Sequence, residues 1–184
     1  MKLISLATLK GYLGISDNTE DATLTTLIEQ VSSQFQTYLD RKLELIERTQ
    51  YFESGAVLVL SEHPVNLIAA FTLTIYDSAL TINNDYYVDA DKGIITLLIA
   101  QITSYPRKIK VIYTAGYDAT NGVLNVPDDI KYACTKQCAQ ELARKKTGGV
   151  SQLSLESGSV TYEQSSGFLK DIKEILDRYR RVGH

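Results

Sequence analysis

The chain has 184 residues, of which 44% are hydrophobic and 22% charged, a balance that suits one soluble globular domain and excludes wholesale disorder. Its net charge of -3 argues against a DNA-binding regulator, because proteins that bind duplex DNA neutralise the phosphates with a basic surface. No apolar run approaches the roughly 20 residues of a membrane span, and the first ten residues lack a signal-peptide pattern, so we expect a soluble protein without a membrane partner.

The first forty residues predict two helices. Leu6–Leu13 is a short amphipathic segment that is followed by Gly14, a natural helix terminator. Asp17 or Thr19 is then expected to cap a longer helix, because either side chain can accept a hydrogen bond from the free N–H groups of the first turn. The apolar residues of this helix recur at helical spacing; they are Leu24, Leu27, Ile28, Val31, Phe35, Tyr38 and Leu39.

The middle of the chain, from about residue 45 to residue 117, predicts a small and mostly antiparallel β unit. Phe71, Leu73 and Ile75 alternate with other side chains at the period of a half-buried strand. Two further strands flank residues 89–93, whose aspartates and terminal glycine are typical of a hairpin turn. Residues 109–113 alternate in the same way before the sequence Ala-Gly-Tyr at residues 115–117.

The last part of the chain returns to helix. Pro127 and two aspartates begin a helix whose buried stripe includes Cys134 and Cys138. Gly148 and Gly149 end it and are predicted to form a hinge, followed by a polar arm at residues 150–167 and a final amphipathic helix from Phe168. We therefore predict an α+β fold: a small bundle of packed helices with an inserted β unit between the first long helix and the C-terminal helices. Its core is residues 1–147, and the hinged arm with its amphipathic helix is residues 148–184.

The residues that could carry chemistry do not form a recognisable catalytic or metal-binding pattern. Cys134 and Cys138 lie one helical turn apart, which suits neither a disulfide nor a four-ligand zinc site, so both are interpreted as core residues. His63 precedes a proline in a predicted turn, and a hydrolytic or small-molecule site near His63 and Asp85 remains an alternative. A calcium loop around Asp89 and Asp91 is less consistent with the spacing than a solvated hairpin. No cofactor or metal is expected, and we expect no enzyme activity.

Tyrosines and a basic C-terminus are the remaining candidates for recognition. Several tyrosines could stack on single-stranded nucleic acid; they are Tyr105, Tyr113, Tyr117 and Tyr162. Because no basic residues are interleaved with them, they are better interpreted as strand residues and subunit-contact residues. The final helix concentrates positive charge, which either balances the helix dipole or docks onto a partner; the candidate docking residues are Lys170, Lys173, Arg178, Arg180 and Arg181.

Seven short fragments, in this order, resemble the head–tail connector (adaptor, head-completion) proteins of tailed bacteriophages. They are LKGYLGI at residues 9–15, NTED at 18–21, LTTLI at 24–28, YLDRK at 38–42, LVLSEHPV at 58–65, VIYTAGY at 111–117 and VPDDIK at 126–131. Each fragment alone can also be explained by its structural role. The resemblance therefore rests on the order and spacing of the fragments, and it extends to about residue 149.

The resemblance implies a structural virion protein that assembles as a dodecameric ring under the portal protein. Such a ring would extend the DNA channel without sequence-specific binding and would present a platform for the next neck or tail-completion protein. The implied location is the head–tail interface of the virion, with the host cytoplasm during assembly. A different neck or tail-completion protein of the same particle is the nearest alternative, and a small-molecule-binding α+β domain is the more distant one.

Overall fold

The computed structural model describes residues 1–98, 109–146, 152–155, 158–161 and 167–180. The chain divides into two compact units, the first formed by Met1–Arg41 with Ala119–His184 and the second by Lys42–Asp118. The first unit is helical and the second is a β unit inserted between two of its helices. The predicted fold class is therefore confirmed. The division of the chain into a core and a hinged arm stays a prediction, since Gly148 and Gly149 lie outside the described residues.

The described part of the helical unit contains four helices: α1 (Leu6–Leu13), α2 (Asp21–Leu39), α3 (Asp128–Lys146) and α4 (Lys170–Asp177). Helix α3 is central and packs against each of the other three. Its first turn carries two aspartates and its last turn three cations, as the helix dipole favours. The residues buried between the helices are Leu9, Leu24, Ile28, Val31, Phe35, Leu39, Ile130, Ala133, Cys134, Cys138, Leu142, Ile172 and Leu176.

The predicted cap of α2 is wrong. The Asp17 carboxylate accepts hydrogen bonds from both the backbone and the side chain of Thr19, so neither residue is available to the helix. Glu20 stands at the N-cap position without a side-chain capping bond. Asp21 in the first turn instead meets the Lys10 ammonium at 2.7 Å, which ties the start of α2 to α1.

The two cysteines are free and buried in α3, as predicted. Hydrogen bonding between the thiols, together with burial, raises the pKa of Cys134, so this thiol stays protonated and unreactive. Ser32 of α2 lies beside them, and its hydroxyl accepts a 3.0 Å hydrogen bond from the Leu3 N–H. A small polar group is thus accommodated inside the helical core because its donors and acceptors are used.

The β unit contains eight described strands: β1 (Ile46–Phe52), β2 (Val57–Val59), β3 (Val65–Asn66), β4 (Thr72–Ile75), β5 (Ser78–Ala79), β6 (Tyr86–Asp89), β7 (Ile94–Leu97) and β8 (Ile109–Ala115). One sheet has the order β1-β8-β4-β5, with β3 also paired to β8, and a three-stranded sheet has the order β2-β7-β6. Every pairing between these strands is antiparallel, as predicted.

The two sheets of the β unit share one apolar core. Strand β8 alternates strictly, and its odd-numbered residues are buried while the others are half-buried. Tyr113 is fully buried, which excludes it as a stacking platform for nucleic acid. Its hydroxyl donates to the Gln50 side-chain oxygen at 3.2 Å, and the Ser61 N–H donates to the same oxygen at 3.0 Å. The Gln50 amide therefore links β1 to the residues that follow β2.

Two short hairpins complete the described strands. β9 (Ala119–Thr120) pairs with β10 (Val123–Leu124), and Lys2 bridges to Val123 beside them. β11 (Gln152–Leu155) pairs with β12 (Gly158–Thr161) within the polar segment that follows α3. Among the described residues, every helix is too short or too polar to cross a bilayer.

Candidate partner-docking surface

Helix α4 carries two of the five predicted docking residues, Lys170 and Lys173, and its apolar side holds it on α2 and α3. Arg178 and Arg180 follow directly after the helix. Ile172 and Leu176 are buried four residues apart on one face of the helix. Phe168, just before the helix, packs edge-to-face on Phe35 and Tyr38, with ring centroids 5.1 and 5.3 Å apart. This geometry is the favourable one for aromatic pairs, and it fixes where α4 begins.

Polar contacts fix both ends of α4. At its start, Asp171 forms an ion pair with Lys136 of α3. At its end, the Tyr38 hydroxyl donates a 2.6 Å hydrogen bond to Asp177. Beyond the helix, the Tyr179 hydroxyl lies 2.8 Å from both carboxylate oxygens of Asp129. These contacts join α4 to α2 and α3 at several points along its length.

The shifts in the pKa values of Tyr38, Asp171 and Lys136 agree with these contacts. The hydrogen bond to Asp177 raises the pKa of Tyr38, because it favours the protonated phenol. The hydrogen-bonded ammonium of Lys136 lowers the pKa of Asp171, and Asp171 in turn raises the pKa of Lys136. At neutral pH the start of α4 is therefore held by a fully ionised pair.

The positive charges of α4 lie on the surface that these contacts leave open. Lys170, Lys173 and Arg178 are exposed, and the described structure gives none of these three side chains an ion pair. Arg180 is also exposed, and its guanidinium lies 5.5 Å from the Tyr38 ring centroid in a cation–π contact. Arg181 lies outside the described residues. The structure thus brings Lys170, Lys173, Arg178 and Arg180 onto one exposed helix and its immediate end.

The alternative sites have ordinary structural roles in the described residues. The Asp85 carboxylate accepts the Thr81 N–H at 2.7 Å, and Asp89 accepts the Lys92 N–H at 3.2 Å within the hairpin turn. The β unit has a groove of about 400 Å³ beside β3, and neither Asp85 nor His63 lines it. No group of three or more His, Cys, Asp or Glu residues that could hold a metal occurs in the described part of the chain.

The sequence pattern does not single out Tyr38, Asp129 and Lys136, which hold the candidate surface in place. It indicates only that Tyr38 and Asp129 belong to their own helices, and it gives no role to Lys136. Their partners lie on α4 or just beyond it, at a sequence separation of 139 residues for Tyr38 and Asp177. Local periodicity carries no signal for such pairs.

Comparison with known proteins identifies the class of this chain. Residues 2–182 match the protein family described as "Head completion protein". The chain therefore belongs to the head completion protein family, as the resemblance of its motifs had indicated.

Solved structures with a similar fold come from particles called gene transfer agents (GTA). A chain from the virion of a native GTA particle is 16% identical with a TM-score of 0.56, and the match covers 99% of this chain and 91% of that chain. A chain from the neck of an empty GTA particle, computed with C6 symmetry, has the same values. A chain from the neck of a native GTA particle, computed with C12 symmetry, is 15% identical with a TM-score of 0.50, over 100% and 96% of the two chains. At these identities the likeness establishes the fold. No curated protein matches the chain significantly.

Proposed function

We propose that this chain is a head–tail connector subunit, a structural and non-enzymatic protein that forms a ring beneath the portal protein of a tailed phage or phage-like particle. The observation that carries the proposal is the family match, because it spans residues 2–182 and includes both units. The similar folds from GTA necks support the same role, and a neck computed with C12 symmetry supports a ring of twelve copies.

In this proposal the ring extends the DNA channel and presents a platform to the next neck or tail-completion protein. A net charge of -3 suits a channel that surrounds DNA without binding it, since like charges keep the phosphate backbone from adhering. The protein would function in the virion at the head–tail interface after assembly in the host cytoplasm.

The exposed cations of α4 are our candidate for the portal contact. The apolar side of the helix is occupied by α2 and α3, so the outward side with Lys170, Lys173 and Arg178 is available to a partner. We propose that these residues, with Arg180 and Arg181, meet acidic portal surface. Gly148 and Gly149 would act as the hinge that lets residues 150–184 adjust.

The test uses purified full-length chain and tailless, DNA-filled heads. The double variant Lys170→Ala with Lys173→Ala removes two cations that have no ion pair in the described structure, so it should leave the fold intact. We expect binding to heads to weaken by about tenfold at low salt, with a smaller difference at high salt. Sedimentation of heads with bound chain measures the change.

A matched control is Lys42→Ala, which removes an exposed cation from the β unit that likewise has no ion pair in the described structure. Wild-type binding by this variant is the expected result. Equal binding by the α4 double variant and the wild type would contradict the docking assignment. Truncation at Gly148 is a harsher version of the same test, because it also removes Ile172 and Leu176 from the helical core.

A further inference from the structure

Strand β1 forms the longest open edge of the β unit. All seven of its residues pair with β8 on one side, and in the order β1-β8-β4-β5 no described strand lies on its other side. Its register runs without interruption from Ile46 to Phe52, so β1 has no bulge, and its sequence contains no proline or lysine. Bulges, prolines and lysines commonly protect an edge from pairing with another chain. The edge of β1 lacks all three.

The backbone groups that β1 directs outward follow from the hydrogen bonds of the larger sheet. The Leu80 N–H donates to the Leu73 carbonyl at 2.9 Å, so Leu73 of β4 directs its backbone groups toward β5 and away from β8. Because successive residues of a strand direct these groups to opposite sides, Thr72 and Thr74 bond to β8, where they meet even-numbered residues. The odd-numbered residues of β8 then bond to β1 and meet its even-numbered residues. The N–H and C=O groups that point away from β8 are therefore those of Glu47, Thr49 and Tyr51.

These six groups are open, since no residue in the part of the chain that the structure describes forms a hydrogen bond with them. The other edge strands of the β unit differ. Strand β5 has only two residues, and β2, β3 and β6 each use an outward group in a bond within the chain. These bonds join Gln50 Nε2 to the Val59 carbonyl at 3.3 Å, the Val65 N–H to the Ala90 carbonyl at 2.8 Å and the Asn83 N–H to the Tyr86 carbonyl at 2.8 Å.

Side chains leave the edge of β1 accessible as well. Glu47, Arg48 and Thr49 are exposed in succession, so the strand is open on both of its faces. Open backbone groups that recur every two residues, about 7 Å apart, match the backbone of another extended strand. Addition of a strand would satisfy all six groups at once and would leave the pairing with β8 undisturbed. The occupant that this edge fits is therefore an extended polypeptide segment.

The side chains of β1 add a preference for positive charge in that segment. Glu47 is exposed, lies opposite Thr114 of β8 and has no ion pair in the described structure. Its neighbour Arg48 points to the other face and already pairs with Glu62 at 3.7 Å. A lysine or arginine opposite Glu47 on an added strand would lie beside it, with Cβ atoms about 5 Å apart, and opposite charges at this distance stabilise a strand pair.

A ring excludes pairing of β1 with the β1 of a second copy. Among the described strands, β1 alone directs the backbone groups of three residues outward without a partner, so a second copy would have to offer its own β1. Such a pair is isologous and ends at a dimer, whereas the subunits of a ring meet through heterologous contacts. The added strand therefore comes from a different protein.

We propose that β1 binds an extended segment of a different virion protein as an added strand, with a lysine or arginine of that segment beside Glu47. The backbone contacts are those of Glu47, Thr49 and Tyr51. The inference rests on the proposed connector role, which makes the next neck or tail-completion protein the source of the segment. It assigns that contact to the β unit, whereas the portal contact is assigned to α4 of the helical unit.

Hydrogen exchange measured at single amides tests the proposal on the full chain. In free chain, the amides of Arg48 and Gln50 are bonded to β8 and should exchange slowly, while those of Glu47, Thr49 and Tyr51 should exchange fast. The same alternation should persist in chain bound to tailless heads. In complete particles, the three outward amides should exchange at least about tenfold more slowly, because each N–H then donates to the added strand.

Fast exchange of these three amides in particles that contain the ring would overturn the proposal and leave the connector function intact. Protection in concentrated free chain, or in chain bound to tailless heads, would also overturn it, because a second copy or the portal would then cover the edge. A chain that is absent from the necks of particles would refute the connector function, and the proposal that rests on it would fail too.

A pair of proline variants gives a second readout. Thr49→Pro removes an outward N–H without breaking a bond to β8, and proline is tolerated at such edge positions. Val57→Pro is the matched control: the Leu97 N–H donates to the Ala56 carbonyl, so Val57, the next residue, points its N–H away from β7. We expect Thr49→Pro to lower the fraction of heads that join tails by about tenfold and Val57→Pro to leave it unchanged. Equal joining by the two variants would contradict the assignment.

A charge variant keeps every backbone group and does not depend on proline. Glu47→Lys should lower tail joining by about fivefold at low salt and less at high salt, because it places a cation beside the cation of the added strand. Glu53→Lys is its control, since Glu53 is also exposed and lies just beyond β1. The same loss in both variants, or no loss in Glu47→Lys, would remove the charge preference from the proposed contact.

Discussion

Replacing Gly116 by alanine should destabilise the β unit strongly, because its backbone conformation and its surroundings both exclude a side chain. Its φ is +113°, a region that L residues rarely adopt. A Cβ there would lie 2.4 Å from the Glu44 carbonyl oxygen and 3.0 Å from that of Leu43. These neighbours are backbone atoms, so the clash cannot be relieved by rotation of a side chain.

The expected loss of stability follows from the backbone strain and from the hydrogen bonds that the added side chain would disturb. Strained backbone of this kind costs about 1–3 kcal/mol. Moving the segment 43–45 away also stretches the 2.8 Å bond from the Tyr117 N–H to Leu43 and the 3.1 Å bond from the Leu45 N–H to Tyr117, each worth about 1 kcal/mol. We therefore expect Gly116→Ala to lower the free energy of unfolding by about 3–5 kcal/mol.

Urea unfolding followed by circular dichroism measures this loss on the full chain, and Gly122→Ala is the matched control. Gly122 has a φ of +76° and no atom within 4 Å of its would-be Cβ, so only the conformational cost of about 1–2 kcal/mol applies. An equal loss of stability in Gly116→Ala and Gly122→Ala would refute the predicted clash between a Cβ at residue 116 and the Glu44 carbonyl.

Three further predictions concern the attachment of α4. Tyr179→Phe removes the hydrogen bonds to Asp129, so hydrogen exchange of the amides at residues 170–177 should report a loss of about 1–2 kcal/mol in local stability. Phe168→Ala removes both edge-to-face contacts and should cost about 2–3 kcal/mol in the same measurement. The Asp171 pKa is held below its ordinary value of 3.8 by Lys136, so its contribution is present above that pH and is lost as the pH falls through the lowered pKa. Asp171→Asn should therefore flatten part of the decline in stability between about pH 5 and pH 3.

Each of these three predictions has a result that would contradict it. Unchanged exchange in α4 after Tyr179→Phe or Phe168→Ala would mean that the buried Ile172 and Leu176 hold the helix without those contacts. An Asp171→Asn chain whose stability falls with pH as steeply as the wild type would assign the acid sensitivity to other carboxylates. Asp17 and Asp89 are candidates, because hydrogen bonds from Thr19 and Lys92 lower their pKa values.

The parts of the fold that depend on local pattern could be predicted from the sequence. The apolar spacing of α2 and α3 and the burial of Cys134 and Cys138 are examples, because helical periodicity is set within a few turns. The antiparallel hairpin of β6 and β7 is another, since its turn residues define it.

The parts that depend on distant residues could not be predicted. The Gln50 side chain accepts a hydrogen bond from Tyr113, 63 residues away, and donates one to the Val59 carbonyl of β2, which joins β1 to the second sheet. The N-cap of α2 could not be predicted because the Thr19 N–H donates a hydrogen bond to Asp17, a local competition that the residue types alone do not resolve. For the candidate site, the exposure of Lys170 and Lys173 follows from amphipathic spacing, whereas the contacts that hold α4 come from α2 and α3.

Imaging of the portal vertex tests whether the chain forms a ring there. Purified chain is mixed with tailless, DNA-filled heads, and the vertex is reconstructed by electron cryomicroscopy without imposed symmetry. We expect added density beneath the portal that is a closed ring of this fold, with twelve copies around the DNA channel. Heads that gain no density at the vertex, or that bind the chain elsewhere as single copies, would contradict it.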